Sequence, residues 1–451
     1  MEQYITAEHL AAFSEAFHAS RANLVAMNSV TGNGVNKSAL SVEGVRKNVH
    51  QYSLRLKNKG ITNQKSSGRC WMFAALNCLR FKIIRDLNLE DFELSQNYML
   101  FYDKLEKANY FLESIYATLD EPTGSRLLDF LLRSPMQDGG QWDMMAALIG
   151  KYGVVPKDAM PETACSSGTM ETNKIITEKL RGCAARIRAE YAAGAGIEEL
   201  RAQKREILST VYRMLCICLG APPAAFDFKL RTKDDQFISD CGLTPREFYD
   251  KYIGVDLSQY ISLINAPTAD KPYMRSYTVA YLGNVAGAPV KYVNLPVEAL
   301  KKAAIAQMRA GEPVWFGCDM GKMVHRDSGV MAPDLFDYEA LFDTTFDMTK
   351  AEMLDYGHSK MSHAMVFQGV DLDGNGAPVR WCVENSWGKD CGDKGMYLMS
   401  DEWFDRYMYQ VVVNKKYLPA EVVAAYEQEP VELAPWDPMG ALAQGRNHED
   451  D

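Results

Sequence analysis

The chain has 451 residues, 47% hydrophobic and 24% charged, with a formal net charge of −10; this is a globular composition with enough length for one large core or two or three smaller ones. The acidic balance disfavours nucleic acid as the main partner, because phosphate binding is driven by Lys and Arg, although a local basic patch is compatible with it. No apolar run approaches the ~20 residues that span a bilayer, and Met1-Glu2-Gln3-Tyr4-Ile5 lacks the basic-then-apolar pattern of a leader, so the expectation is a cytoplasmic protein with no membrane association.

Within residues 1–60, Leu10, Phe13, Phe17 and Leu24 form a helical stripe. The Asn-, Ser-, Thr- and Gly-rich stretch 28–36 reads as a turn region, giving a helix followed by a looser arm. Phe73, Leu76, Leu79, Ile83 and Leu87 recur at helical spacing from Cys70 onward, with Gly68 as the turn before them. Further helices are expected over 94–118, 122–134 and 144–149, completing a helical lobe over 61–164. Composition then shifts to Ala, Glu, Lys, Arg, Leu and Ile, which predicts long helices over 174–192 and 197–219 and a helical insertion spanning 165–290. A β-rich lobe over 291–430 follows: strands at 290–294, 314–318, 364–370, 379–385 and 396–399, and a helix over 297–309. Residues 431–451 form a C-terminal arm. The fold class is α+β.

The ten cysteines form no Cys-x-x-Cys pair, and the bland reading is reduced, mostly buried thiols. The acidic turn 371–376 lacks the bidentate Glu of a calcium loop, and His358 and His363 do not make a zinc pair of the His-Glu-x-x-His kind. No cofactor or metal is expected. His358 reads as a solvated loop histidine and His325 as another loop candidate.

One constellation does propose chemistry. Gln64-Lys65-Ser66-Ser67-Gly68-Arg69-Cys70-Trp71 places a thiol in the first turn of a helix. Unpaired amide N–H groups and the macrodipole favour an anion there, and with a cationic His nearby such surroundings lower a thiol pKa from ~8.5 into roughly the 3.5–7.5 range. Taken alone, a cysteine here is more often a small apolar residue starting a core helix. Ser362-His363-Ala364 and Glu384-Asn385-Ser386-Trp387-Gly388 lie on strands joined by one hairpin. Cys70 suits a nucleophile, His363 a base and Asn385 the group that orients it; Gln64 and the Cys70 N–H suit an oxyanion hole. The reaction implied is acyl transfer through a thioester, with peptide hydrolysis favoured. A thiol acyltransferase using the same triad, and a non-catalytic cage that binds peptides or nucleic acid, are the alternatives.

Ser67-Gly68-Arg69-Cys70-Trp71 resembles the papain pattern at its glycine, nucleophile and tryptophan, and Glu384-Asn385-Ser386-Trp387-Gly388 resembles its asparagine motif. Ser67 stands where secreted members carry a disulfide cysteine. His363 follows Cys70 by 293 residues, against ~130–150 in those enzymes, a surplus that matches the insertion. Gly317-Cys318-Asp319-Met320-Gly321-Lys322, Lys360-Met361-Ser362-His363-Ala364-Met365 and residues 435–443 extend the resemblance to the bleomycin hydrolase (aminopeptidase C) family of intracellular papain-like cysteine peptidases. The resemblance implies a two-lobed papain-like fold and aminopeptidase activity on peptide substrates. It also implies a homohexamer held partly by the insertion, and a cleft lined by Gly139 and Gly140. The arm would end near Ala443, close to the substrate's amino group, and Trp387 would shield the His363–Asn385 bond. Residues 444–451 run past that end, which suggests self-trimming.

Overall fold

The computed structural model describes residues 4–56 and 60–444. Its centre is the helix Cys70–Asp86, whose Trp71, Met72, Phe73, Ala74, Leu76 and Ile83 are all buried. A helix this apolar must be enclosed rather than laid on a surface. The helix Gln96–Ala117, capped by the Ser95 hydroxyl on the Tyr98 N–H, and the helix Trp142–Tyr152 pack against it.

On the other side stands one large sheet. Among the described residues its strands run in the order Val431–Leu433, Arg275–Val279, Tyr292–Asn294, Tyr260–Ile264, Met408–Asn414, Val314–Cys318, His363–Leu372, Pro378–Glu384, Met396–Ser400, Val330–Met331 and Val324–His325; Leu54–Arg55 also pairs with His363–Leu372. The central Val314–Cys318 strand is buried along its whole length. A strand covered on both faces reads as a continuous apolar run, and Val-Trp-Phe-Gly-Cys is one. Phe316, Phe367, Trp381 and Phe404 stack in a second core on this side.

Two contacts tie the helical side to the sheet. The Trp315 Nε1–H donates to the Trp71 carbonyl at 3.0 Å. Arg80, on the central helix, pairs with Glu384 at 2.7 Å, both fully buried, and Glu384 also accepts from Gln368 at 2.6 Å. A buried pair of this kind stabilises only when its geometry is satisfied, and it fixes one arrangement of the two sides.

Residues 28–36 are not a turn: the helix Arg21–Asn33 runs through most of them. Their polar side chains bond back into their own helix, Thr31 Oγ1 to Met27 O and Asn33 Nδ2 to Ser29 O, so turn-like composition here serves a helix surface. Neither this helix nor Ala7–Ala19 buries a residue, and Leu10 and Phe13 stand about 60% exposed. In the segment 165–290, the helices Met170–Ala192, Ile197–Ala202 and Lys204–Leu219 are followed by a two-stranded ribbon, Phe226–Arg231 with Phe237–Leu243. The Tyr260–Ile264 and Arg275–Val279 strands, from the end of that segment, belong to the main sheet. The 371–376 hairpin is present, with Asp373 and Ala377 closing it.

Candidate active site

Cys70 is the first residue of its helix and 4% exposed. No side chain caps this end; Arg69 in the cap position leaves its carbonyl to accept from Met72 and Phe73, both at 3.0 Å. The positive end of the helix dipole therefore faces the thiol.

His363 opens the strand His363–Leu372, opposite Cys318 in the register with Val314–Cys318. Burial, then the Asp319 carboxylate and the Cys70 sulfur, push the Cys318 thiol well above its ordinary range. Cys70 thus lies within electrostatic reach of the residue that pairs with His363. The approach to His363 is held by Asp319, whose carboxylate accepts from Ser359 Oγ at 2.8 Å and Ser362 Oγ at 3.2 Å, while the Ser362 N–H donates to the Cys318 carbonyl at 2.9 Å.

Asn385, fully buried just beyond the Pro378–Glu384 strand, meets His363 directly: its Oδ1 lies 2.9 Å from Nε2 of the imidazole. The same oxygen accepts the Ser386 N–H at 2.8 Å, which identifies it as the acceptor and puts the imidazole proton on Nε2. The Trp387 ring lies over this pair, its centroid 5.0 Å from that of His363, and the Arg326 guanidinium sits 4.9 Å from the indole on a cation–π contact.

Gln64 is docked on the asparagine loop. Its N–H donates to the Ser386 carbonyl at 2.9 Å, Asn63 bridges to Trp387, and the Gly388 N–H donates to the Thr62 carbonyl at 3.0 Å. Gly388 takes φ +81°, and a side chain there would strike the Asn63 amide at 2.5 Å. Residues 62–64 are therefore pinned to 386–388 six residues before the nucleophile candidate. The Gln64 carboxamide is buried and donates through Nε2 to the Ser67 carbonyl at 2.7 Å.

The loop carrying Gly139 and Gly140 is braced by two buried lysines. Lys104 donates to Asp138 Oδ1 at 2.6 Å and to the Gln137 carbonyl at 2.9 Å; Lys107 donates to Gly139 O at 2.6 Å, Gln137 O at 3.0 Å and Asp103 at 2.7 Å. Burial lowers the Lys107 ammonium to about 8 despite its Asp103 partner. Asp138 reaches the Gln64–Cys70 loop as well, accepting from the Gly68 N–H at 2.8 Å, Thr169 Oγ1 at 2.5 Å and Asn173 Nδ2 at 2.8 Å. Burial works to raise this carboxyl, but the Lys104 charge and these bonds outweigh it and hold it far below the usual carboxylate range. The Trp71 indole donates to the Asp138 carbonyl at 2.7 Å, and a Cβ on Gly140 would enter that ring at 2.3 Å. Gly140 is thus required by the packing of Trp71.

The C-terminal arm comes to the same region. Val431–Leu433 adds to the sheet edge, Asp437 pairs with buried Lys271 at 2.8 Å, and Trp436 stacks under Arg126 at 3.7 Å. The Met439 carbonyl accepts from Gln141 Nε2 and Tyr292 Oη, each at 3.3 Å. Gln141 directly follows Gly140. Ala443 is buried in the short helical turn Ala441–Gln444; of residues 444–451, on which the trimming expectation rests, 445–451 lie outside the described residues.

His358 is exposed, as its loop context implied, and His325 lies in the two-residue strand Val324–His325 with Nδ1 2.8 Å from Ser328 Oγ. The ten cysteines carry free thiols. No described helix is long and apolar enough to cross a membrane, and no group of three or more metal-ligating side chains occurs among the described residues. Sequence reasoning missed Lys104, Lys107, Asp138, Arg80 and Lys271; apart from the Asp103–Lys107 pair within one helix, their partners are set only by the fold.

The family model for the Peptidase C1-like family matches residues 4–440. The chain is 52% identical to Aminopeptidase C of Streptococcus thermophilus over 92% of its own length and 94% of that protein. It is 46% identical to Aminopeptidase C of Listeria monocytogenes over 98% of this chain and all of that protein, and 43% identical to human Bleomycin hydrolase over 88% and 89%. The crystal structure of PepW from Lactobacillus rhamnosis HN001 superposes with a TM-score of 0.96 at 47% identity, covering 98% of this chain and 99% of that one.

Proposed function

Because this chain belongs to the Peptidase C1-like family and is a papain-like cysteine aminopeptidase, we propose that it removes N-terminal residues from peptides through a thioester on Cys70. Its papain-like fold, helical side against β side, is the one the motifs implied. In the proposed reaction the Cys70 thiolate attacks the first peptide carbonyl. Gln64 Nε2, with one N–H held by Ser67 and the other turned to the oxyanion, shares the developing charge with the Cys70 N–H. His363 protonates the departing amine and then takes a proton from water as the acyl group is released. With Nε2 committed to Asn385, proton exchange falls to Nδ1, and the Trp387 ring excludes water from the bond that keeps the ring turned this way.

The observation that carries this reading is the 2.9 Å His363–Asn385 contact on a loop that also binds the backbone of Gln64. Substrate backbone would lie along Gly139 and Gly140, and the arm, anchored at Asp437 and Met439, would bring the Ala443 end against the substrate's amino group. A filled cleft leaves room for few residues before the scissile bond, which selects exopeptidase action. The proposal extends to a cytoplasmic homohexamer. Exposed Met170, Ile175 and Ile217 on helices of the 165–290 segment supply apolar surface for subunit contact.

A Cys70→Ser variant tests the chemistry. Aminoacyl-fluorophore cleavage should vanish while sedimentation shows the same assembly as the wild type. Undiminished turnover in that variant would remove Cys70 from the reaction.

A further inference from the structure

We propose that Ser67, Arg69 and Glu162 act as a positioning clamp for the Gln64 carboxamide, an inference that rests on the oxyanion role proposed for Gln64. Ser67 holds Gln64 twice. Its hydroxyl donates to the Gln64 main-chain carbonyl at 2.6 Å, and its own main-chain carbonyl accepts from Gln64 Nε2 at 2.7 Å. That hydroxyl in turn accepts from Arg69 Nε at 2.9 Å. Arg69, fully buried, meets Glu162 fork to fork, with Nη1 and Nη2 at 3.0 and 2.9 Å from the two carboxylate oxygens. Glu162 is oriented by Ser166 Oγ at 2.6 Å, and the Arg69 guanidinium lies over the Phe73 ring at 5.0 Å.

The chain of contacts is continuous from Glu162 to the amide that faces the reaction, and it begins outside the nucleophile loop. The segment that carries Glu162 is itself laced to that loop: Ser66 N–H donates to Ser167 O at 3.0 Å and Thr169 N–H to Ser66 O at 3.4 Å. Lys65, between Gln64 and Ser66, takes φ +53°, a conformation that a non-glycine residue keeps only when its surroundings over-determine it. Burying a guanidinium is costly unless it is paired, and here each of its three nitrogens donates to a partner. An oxyanion donor works only if it waits within a few tenths of an ångström of its target. Hydrogen bonds at both ends of Gln64 supply that constraint. Arg69 also stands in the cap position of the Cys70 helix, where its carbonyl accepts from the Met72 and Phe73 N–H groups, so one residue, through its side chain and its backbone, joins the clamp to the helix that carries Cys70.

The test separates positioning from folding. Ser67→Ala should lower kcat by on the order of 10-fold, less than the 10²–10³ lost when an oxyanion donor is removed outright, with KM within about twofold. A peptide aldehyde, which closes onto the thiol as a tetrahedral hemithioacetal, should lose affinity by the same factor, whereas the matching alcohol should bind unchanged. Ser67→Thr, which keeps the hydroxyl, should restore both, and Glu162→Gln should fall between. Wild-type kcat in Ser67→Ala, or a lower kcat with undiminished aldehyde affinity, overturns the clamp alone. Aldehyde affinity that survives Cys70→Ser overturns the catalytic reading and the clamp with it.

Discussion

The two halves of the site are held by different physics. On the nucleophile side, the loop from Gln64 to Arg69 and the loop from Gln137 to Gly140 are fixed by buried charges: Arg69–Glu162, Lys104–Asp138 and Lys107 on three acceptors. On the strand side, His363 and Asn385 take their places chiefly from backbone ladders, with Cys318 opposite His363 and Val366 opposite Glu384, and the buried Asp319 and Arg80–Glu384 contacts add to them. A ladder distributes position over many equivalent bonds, whereas an ionic brace concentrates it in one side chain. The nucleophile side should therefore be the brittle half, sensitive to single substitutions and to acid, and the strand side the tolerant one.

The chemistry should ignore this difference, since both halves must act together. Cys70→Ala and His363→Ala should each lower kcat by about 10³-fold or more, and the double variant should be little worse than either, because members of one catalytic unit are not additive. Additive losses in single-turnover assays would mean the two residues act separately. Asn385→Ala is the next largest effect on rate. Losing one hydrogen bond to a charged ring is worth about 1.5–3 kcal/mol, or roughly 10- to 150-fold in kcat.

Stability is where the halves should diverge. Asp138→Asn leaves the buried Lys104 ammonium without its counter-charge, which costs about 3–5 kcal/mol and should appear as a lower denaturant midpoint. Disruption of the strand-side braces by Ser362→Ala removes a single 3.2 Å bond and should cost no more than about 1 kcal/mol. Equal costs would erase the distinction. The smallest effect is in pH. The Asp138 carboxyl is depressed in the folded chain, so its contribution is full above the unfolded value of ~3.9 and is lost as pH falls through the lower folded value. The stability gap between wild type and Asp138→Asn should thus narrow on acidification below about pH 4. A gap independent of pH would show that Asp138 acts through shape rather than charge.

The same contrast explains what could be read from residues alone. Gln64, Cys70, His363 and Asn385 sit in short local patterns, each with a turn, helix start or strand around it, and the strands 314–318 and 379–385 are marked by unbroken apolar or alternating runs. The ionic braces leave no such trace. Lys104 and Asp138 are 34 residues apart and Arg80 and Glu384 are 304 apart, and an isolated lysine or arginine in a helix reads as solvated surface. Residues 28–36 were illegible for another reason. Asn, Ser and Thr favour turns by bonding to the nearby backbone, and the same bonds made to carbonyls four residues back decorate a helix instead. The edge strand Val431–Leu433 is three residues long, too short for periodicity to register.

The most direct test of the central claim is the rate at which iodoacetamide labels each cysteine, followed by peptide mapping in the wild type and in His363→Ala. The account predicts one fast site, Cys70, inactivation in step with its labelling, and a marked slowing of that site alone when the imidazole is removed. Labelling spread evenly over several of the ten thiols, or a Cys70 rate indifferent to His363, would contradict it.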